Sequence, residues 1–280
     1  MDNIFISTSE DTYFPYLEQN APTVRNLEED GSIISEPISP SSSPVAADVQ
    51  TISVHNPEDS SGWRHNDLCS IYEIPRQYQH IFASYPCFNA IQSKVLDDVL
   101  YSDTSIVVSA PTGSGKTVIF ELAVIRLLIK LKDVEFTGEY KIVYMAPVKA
   151  LCSERFQDWR SKFSSLGVKC KEYTGDTDEN DLSSLSTYHL ILTTPEKWDS
   201  LTRKWKDNKG IVQMVKLFLI DEVHLLNEEQ RGPTLEAVVS RMKTVRGAIC
   251  HTQRQTQEQH HNDSQTTVQN HRDVSEIGGE

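Results

Sequence analysis

The stretch SIVVSAPTGSGKTVIFELAVIRLLIKL, residues 105–131, permits few folds. Its first six residues, centred on the β-branched Ile106, Val107 and Val108, read as a buried parallel strand. Gly113 and Gly115 then free the backbone to turn. From Lys116 the apolar residues recur at helical spacing over about 116–131. Strand, glycine turn and helix form the first part of a βαβ unit, which needs further parallel strands beside it.

The chain supplies them. KIVYMA (141–146), VKCKEY (168–173), LILTT (190–194) and VKLFLI (215–220) read as short strands. Helical patterns lie between and after them at about 149–164, 195–205 and 233–245. The expected fold class is α/β, a parallel sheet with helices on both faces.

This alternation occupies residues 66–246, which hold 23 basic and 24 acidic residues. The net charge of −13 therefore sits in the flanks. Residues 1–65 carry 11 acids against 2 bases and include the Ser/Pro-rich SEPISPSSSPVAADVQ, so a disordered acidic tail is expected there. Tyr13, Phe14 and Tyr16 in that tail are either a short partner-docking motif or part of a solvated segment. Residues 247–280 are Gln- and His-rich and are likewise expected to be disordered. A nearly neutral middle with local basic clusters is compatible with phosphate binding. Five scattered cysteines without a C-x-x-C pair point to reduced thiols in the cytosol or nucleus. No apolar run reaches the length of a membrane span, and no secretory signal is visible.

Two motifs carry chemistry. In APTGSGKT (Ala110, Pro111, Thr112, Gly113, Ser114, Gly115, Lys116, Thr117), the glycines let backbone N–H groups turn inward, and the following helix N-terminus adds positive potential. Lys116 is suited to the β- and γ-phosphates of ATP, and Thr117 to Mg2+. In VKLFLIDEVH (215–224), a strand ends in two acids at the edge where α/β sheets bind ligands. Asp221 is the candidate Mg2+ holder and Glu222 the candidate for activating water. An isolated Asp-Glu pair is more often an ordinary loop or helix start. Its pairing with the upstream glycine loop favours nucleotide hydrolysis, with Lys116, Asp221 and Glu222 as catalytic residues.

Other strand ends carry polar turns. Pro147 and Lys149 in APVKAL, Arg155 in the same predicted helix, Thr174 and Gly175 in YTGDT, and Thr194, Pro195 and Glu196 in TTPEKW are candidate nucleic-acid contacts. Each turn alone is as readily a helix cap or a surface turn. Repeated at successive strand ends, they make one phosphate-tracking groove plausible. The groove's chemistry suits DNA and RNA alike.

The run from about Ile74 to Val245 resembles the first RecA-like domain of superfamily-2 DExH helicases, and especially the meiotic crossover DNA helicases. The resemblance rests on IQSKVLDDVLYSDTSIVVSAPTGSGKT, KIVYMAPVKALCSERFQDW, TTPEKWDSLTRKW, LFLIDEVH and RGPTLEAVVSRMK. It implies a RecA-like sheet, adenine reading by Gln92, His224 as part of the ATP site, ATP and Mg2+ as cofactors, single-stranded or branched DNA as partner, a monomer, and a nuclear place in homologous recombination.

The resemblance stops at Arg246, and no Ser-Ala-Thr occurs in the chain. In RecA-like sheets the strand carrying Ser-Ala-Thr lies between the phosphate-loop strand and the Asp-Glu strand. The chain is therefore expected to be an N-terminal fragment cut within the first domain, inactive or very weak alone. It would serve as a non-catalytic binding or regulatory isoform, or be a poorly folded product. The polar tail is expected not to fill the slot, because AIC (248–250) is its only apolar trio.

Overall fold

A computed structural model describes residues 2–8, 49–53, 68–175, 185–203 and 209–245. The strands are β1 (Asp2–Thr8), β2 (Val49–Ser53), β3 (Ser105–Ala110), β4 (Lys141–Met145), β5 (Cys170–Tyr173), β6 (Leu190–Thr193) and β7 (Val215–Ile220). The helices are α1 (Ala90–Tyr101), α2 (Lys116–Asp133), α3 (Lys149–Lys162), α4 (Pro195–Arg203), α5 (Lys209–Gln213) and α6 (232–245). One sheet runs in the order β2-β3-β1-β7-β4-β6-β5. The expected parallel sheet with flanking helices is present, and the five strands and four helices foreseen between 105 and 245 lie within a few residues of their expected bounds.

Two strands come from the region expected to be a disordered tail. β2 adds to the outer side of β3 in parallel. β1 runs antiparallel between β3 and β7, pairing Asp2 with Ala110 on one side and Phe5 with Ile220 on the other. This corrects the expectation of an unfilled slot, because the N-terminal segment occupies the gap between the phosphate-loop strand and the Asp-Glu strand. The physical reason is backbone satisfaction: two central strands without a shared neighbour would leave N–H and C=O groups unpaired inside the sheet. Asn3-Ile4-Phe5-Ile6 is short, but it is β-branched and aromatic enough for a strand. The Ser/Pro-rich stretch, the group Tyr13, Phe14 and Tyr16, and the segment from Arg246 onward lie outside the described residues.

Because β1 opposes both neighbours, β3 and β7 remain parallel to each other. With β4, β6 and β5 also parallel, all their C-terminal ends share one edge. Alternation along each strand feeds two cores. Ile142, Tyr144, Leu217 and Leu219 face α1, α2 and α3, whereas Val143, Met145, Phe218 and Ile220 face Trp198 and Leu201 of α4 and Leu235 and Val238 of α6.

α2 is buried nearly all round, which explains its apolar sequence. It nonetheless holds a buried carboxylate. Glu121 accepts from Trp159 Nε1 at 3.0 Å and from Lys162 Nζ at 2.6 Å, fastening α2 to α3. Burial raises its pKa, and Lys162 and Trp159 act against that rise. Removing the cation leaves a buried acid whose ionised form is disfavoured, at a cost of about 3 kcal/mol. A raised folded-state pKa means that stability is retained at low pH and lost as pH rises. Lys162→Met should therefore lower the midpoint of thermal unfolding more at pH 8 than at pH 5.

Candidate nucleotide and nucleic-acid site

β3 ends at Ala110, and the chain turns through Pro111–Gly115 into α2. Gly113 has φ +79° and Gly115 has φ +81°, a region that side chains rarely enter. A Cβ at Gly115 would also have to displace the Gln92 amide that holds the loop, whereas nothing lies near one at Gly113. Gly115 is the N-cap of the 18-residue α2, and no side chain caps that end. Lys116 Nζ folds back over the loop and donates to the carbonyls of Ala110 and Pro111, each at 3.0 Å. Ser114 Oγ is buried and has no hydrogen-bond partner.

The loop is held from below by α1. Asn89 caps that helix, and its side chain accepts from the Gln92 N–H at 2.9 Å while Gln92 Oε1 accepts from the Asn89 N–H at 3.0 Å. The same two amides reach the loop: Asn89 Nδ2 donates to Ser114 O at 2.9 Å and Gln92 Nε2 to Gly115 O at 3.1 Å. Gln92, expected only to read adenine, thus also fixes the loop's backbone. An amide keeps a second N–H and a second lone pair for another partner. Asn89 was not foreseen, although the Asn-x-x-Gln spacing is that of a capping box.

β7 delivers the acids to the same edge. Asp221 N–H donates to Met145 O at 2.8 Å, which continues the β4–β7 ladder into the turn. Asp221 Oδ2 accepts from Tyr144 Oη at 2.8 Å, and Oδ1 accepts from the Glu222 N–H at 3.0 Å. Burial raises the Asp221 pKa, while Tyr144, the Glu222 amide, Lys116 and Arg155 each lower it. Lys116 and Asp221 therefore feel each other across two strand positions. Glu222 sits at φ 55°, ψ 43°, a left-handed conformation that costs a non-glycine residue about 1–3 kcal/mol. His224 Nδ1 lies 3.3 Å from Glu222 Oε2. Tyr144 was not foreseen, because a strand buried on both faces gives no periodicity to show which residue meets the acid.

An open cleft of about 600 Å³ adjoins the loop, lined among others by Tyr85, Gly115, Thr117, Glu121, Arg155 and Lys162. Arg155 was expected at the nucleic-acid groove. In the structure its Nη1 lies 3.4 Å from Thr117 Oγ1, because its place nearly two turns into α3 turns it toward α2.

The remaining groove candidates follow β4, β6 and β5 along the same edge. Pro147 and the exposed Lys149 lead into α3, Pro195 is buried at the start of α4, and Glu196 and Gly175 are exposed. Thr174 is buried, with Oγ1 3.4 Å from Glu172 Oε1, and Thr194 Oγ1 accepts from the Lys197 N–H at 3.4 Å. The edge thus has two parts, with the glycine loop and the acids at β3 and β7 and the polar turns at β4, β6 and β5.

The donor set fits Mg2+ and a polyphosphate. Thr117 Oγ1 and the Asp221 carboxylate are hard oxygen donors, and Mg2+ is commonly bound by one or two carboxylates together with phosphates. The uncapped helix end and the buried Ser114 hydroxyl suit phosphate oxygens. Tyr144 keeps its proton, because burial and Asp221 hold its pKa well above 10. Tyr144→Phe removes that donor, so the Asp221 carboxyl should titrate at higher pH in the variant than in the parent chain. Carbon-13 NMR of the labelled aspartates would read the shift.

The DEAD/DEAH box helicase family matches residues 89–259, past Arg246 where the resemblance in the sequence appeared to stop. The chain is 61% identical over 175 residues to the probable ATP-dependent DNA helicase HFM1 of Xenopus tropicalis, covering 62% of this chain and 13% of that protein. It is 59% identical over 178 residues to the human protein of the same name, covering 64% and 12%. It is 39% identical over 172 residues to the ATP-dependent DNA helicase MER3 of Saccharomyces cerevisiae, covering 61% and 14%. Among solved structures, Mss116p bound to ssRNA and AMP-PNP aligns over 70% of this chain and 40% of its own at 17% identity and a TM-score of 0.52. That similarity shows the fold. The family match covers more than half of the chain, and the chain belongs to the DEAD/DEAH box helicase family.

Proposed function

We propose that residues 66–246 are the first nucleotide-binding lobe of an ATP-dependent DNA helicase of meiotic recombination, acting in the nucleus. The lobe binds Mg-ATP at the ends of β3 and β7, beside the cleft between α2 and α3, and single-stranded or branched DNA along the ends of β4, β6 and β5. The reading rests on one observation: the glycine loop with Lys116 and the acids Asp221 and Glu222 follow β3 and β7 at the same edge of the sheet, although β1 separates the two strands. A cation for phosphate and a carboxylate for metal within electrostatic reach of each other are what a nucleotide triphosphate needs.

In this reading Lys116 swings from the Ala110 and Pro111 carbonyls to the β- and γ-phosphates, and the loop's N–H groups hold their oxygens. Thr117 and Asp221 would hold Mg2+, which would supply positive charge to neutralise the phosphates. Tyr144 aims the Asp221 carboxyl and acts against the rise in its pKa that burial causes. Glu222 orients the attacking water and takes its proton, and His224 orients Glu222. Arg155 steadies Thr117. Pro147, Lys149, Thr174, Gly175, Thr194, Pro195 and Glu196 border the DNA path, with Lys149 and the α3 N-terminus meeting phosphate.

The slot that the Ser-Ala-Thr strand would take is filled by β1, which runs in the opposite direction and brings no loop after it to the ligand edge. This favours a chain that binds without unwinding. As a monomer it would bind DNA or a partner of its acidic N-terminal region.

Thermal unfolding with and without Mg-ATP tests the reading. A ligand that binds only the folded chain raises the midpoint, by the equivalent of about 2.7 kcal/mol at a hundred times Kd. The parent chain should shift upward, and Lys116→Ala should lose most of the shift, with a Kd at least about tenfold weaker, or about 1.4 kcal/mol. A parent chain indifferent to Mg-ATP would overturn the reading.

A further inference from the structure

We infer that Asp2–Thr8 is an intramolecular donor strand that sets the spacing of the nucleotide site, an inference that rests on the nucleotide reading above. β1 is the one antiparallel member of the described sheet. It pairs through Asp2–Ile6 with Ala110–Ile106 of β3, and through Phe5–Thr8 with Ile220–Leu217 of β7. Phe5 and Ile6 are paired on both sides at once. Among the described strands, β3 and β7 do not touch, so the two halves of the site meet in the sheet only through β1.

Geometry gives this position its consequence. Neighbouring strands lie about 4.8 Å apart, so β1 holds β3 and β7 at about twice that distance. If β1 leaves, the two strands either close up by one strand width or part with unpaired edges. Closing moves Asp221 by about 4.8 Å relative to the glycine loop, whereas Mg2+ demands oxygens at about 2.0–2.1 Å in near-octahedral order. The phosphate loop belongs to one side of the slot and can hold phosphate unaided. A metal held by Thr117 and Asp221 would need both sides of the slot at their present spacing, and so would need β1.

The direction of β1 distinguishes this arrangement from an ordinary central strand. A parallel strand in the slot would deliver its C-terminal end, and a following loop, to the ligand edge. β1 delivers its N-terminal end, with Asp2 opposite Ala110 at the start of the glycine loop. The first residues of the chain therefore border the phosphate site, and the strand leaves the slot at the far edge through Thr8.

The test uses the full chain. Paired Cα atoms in an antiparallel ladder lie about 4.5–5.5 Å apart, within disulfide range. Asn3→Cys with Ser109→Cys should form an intramolecular bond on mild oxidation, identified by peptide mapping, and the oxidised chain should keep the parent's affinity for nucleotide with Mg2+. Phe5→Pro removes a ladder donor in the centre of the sheet. It should leave nucleotide affinity in EDTA within about threefold, while the gain in affinity on adding Mg2+ falls at least tenfold. A peptide of residues 1–10 added to Phe5→Pro should restore that gain. If Phe5→Pro unfolds the chain, the cysteine pair decides: absence of the bond, or a bond only between two chains, overturns the inference. A folded Phe5→Pro that keeps the full Mg2+ gain also overturns it. A parent chain without nucleotide affinity overturns the nucleotide reading and the positioning role together, and the disulfide then reports the strand's place independently.

Discussion

The structure depends on backbone hydrogen bonding in one slot of the sheet. The glycine loop follows β3 and the acids follow β7, and these strands are two positions apart. Whatever lies between them must satisfy two rows of N–H and C=O groups that water cannot reach well. Here β1 satisfies both rows. The distance between Lys116 and Asp221, the two cores on either face of the sheet, and the common edge of strand ends all follow from that filled slot.

Around the slot, side chains convert position into chemistry. Asn89 and Gln92 tie the glycine loop to α1 through its carbonyls, so the loop's shape belongs to a helix cap as much as to its glycines. Tyr144 ties Asp221 to β4, and Lys116 and Arg155 temper the effect of burial on its carboxyl. The strained backbone at Glu222 places the second acid where an ordinary turn would not. Glu121, Trp159 and Lys162 lock the two helices that border the cleft.

The strands and helices from 105 to 245 were legible because their periodicities are strong and their boundaries carry glycine, proline or acids. α1 was not foreseen as a helix, although Gln92 within it was singled out. The contact of Arg155 with Thr117 was not foreseen, because helix periodicity gives a face but not which element packs there. β1 was hidden because composition over 65 residues masked seven residues of strand propensity.

The sequence by itself determined the α/β alternation, the glycine loop, the acid pair and membership of the helicase family, because each is encoded within a few adjacent residues. Only the tertiary structure decided what fills the central slot, which side chains surround Asp221, and which part of the edge receives Arg155. Those depend on pairings between segments far apart in the chain, where backbone satisfaction and packing choose the partner and local propensity does not.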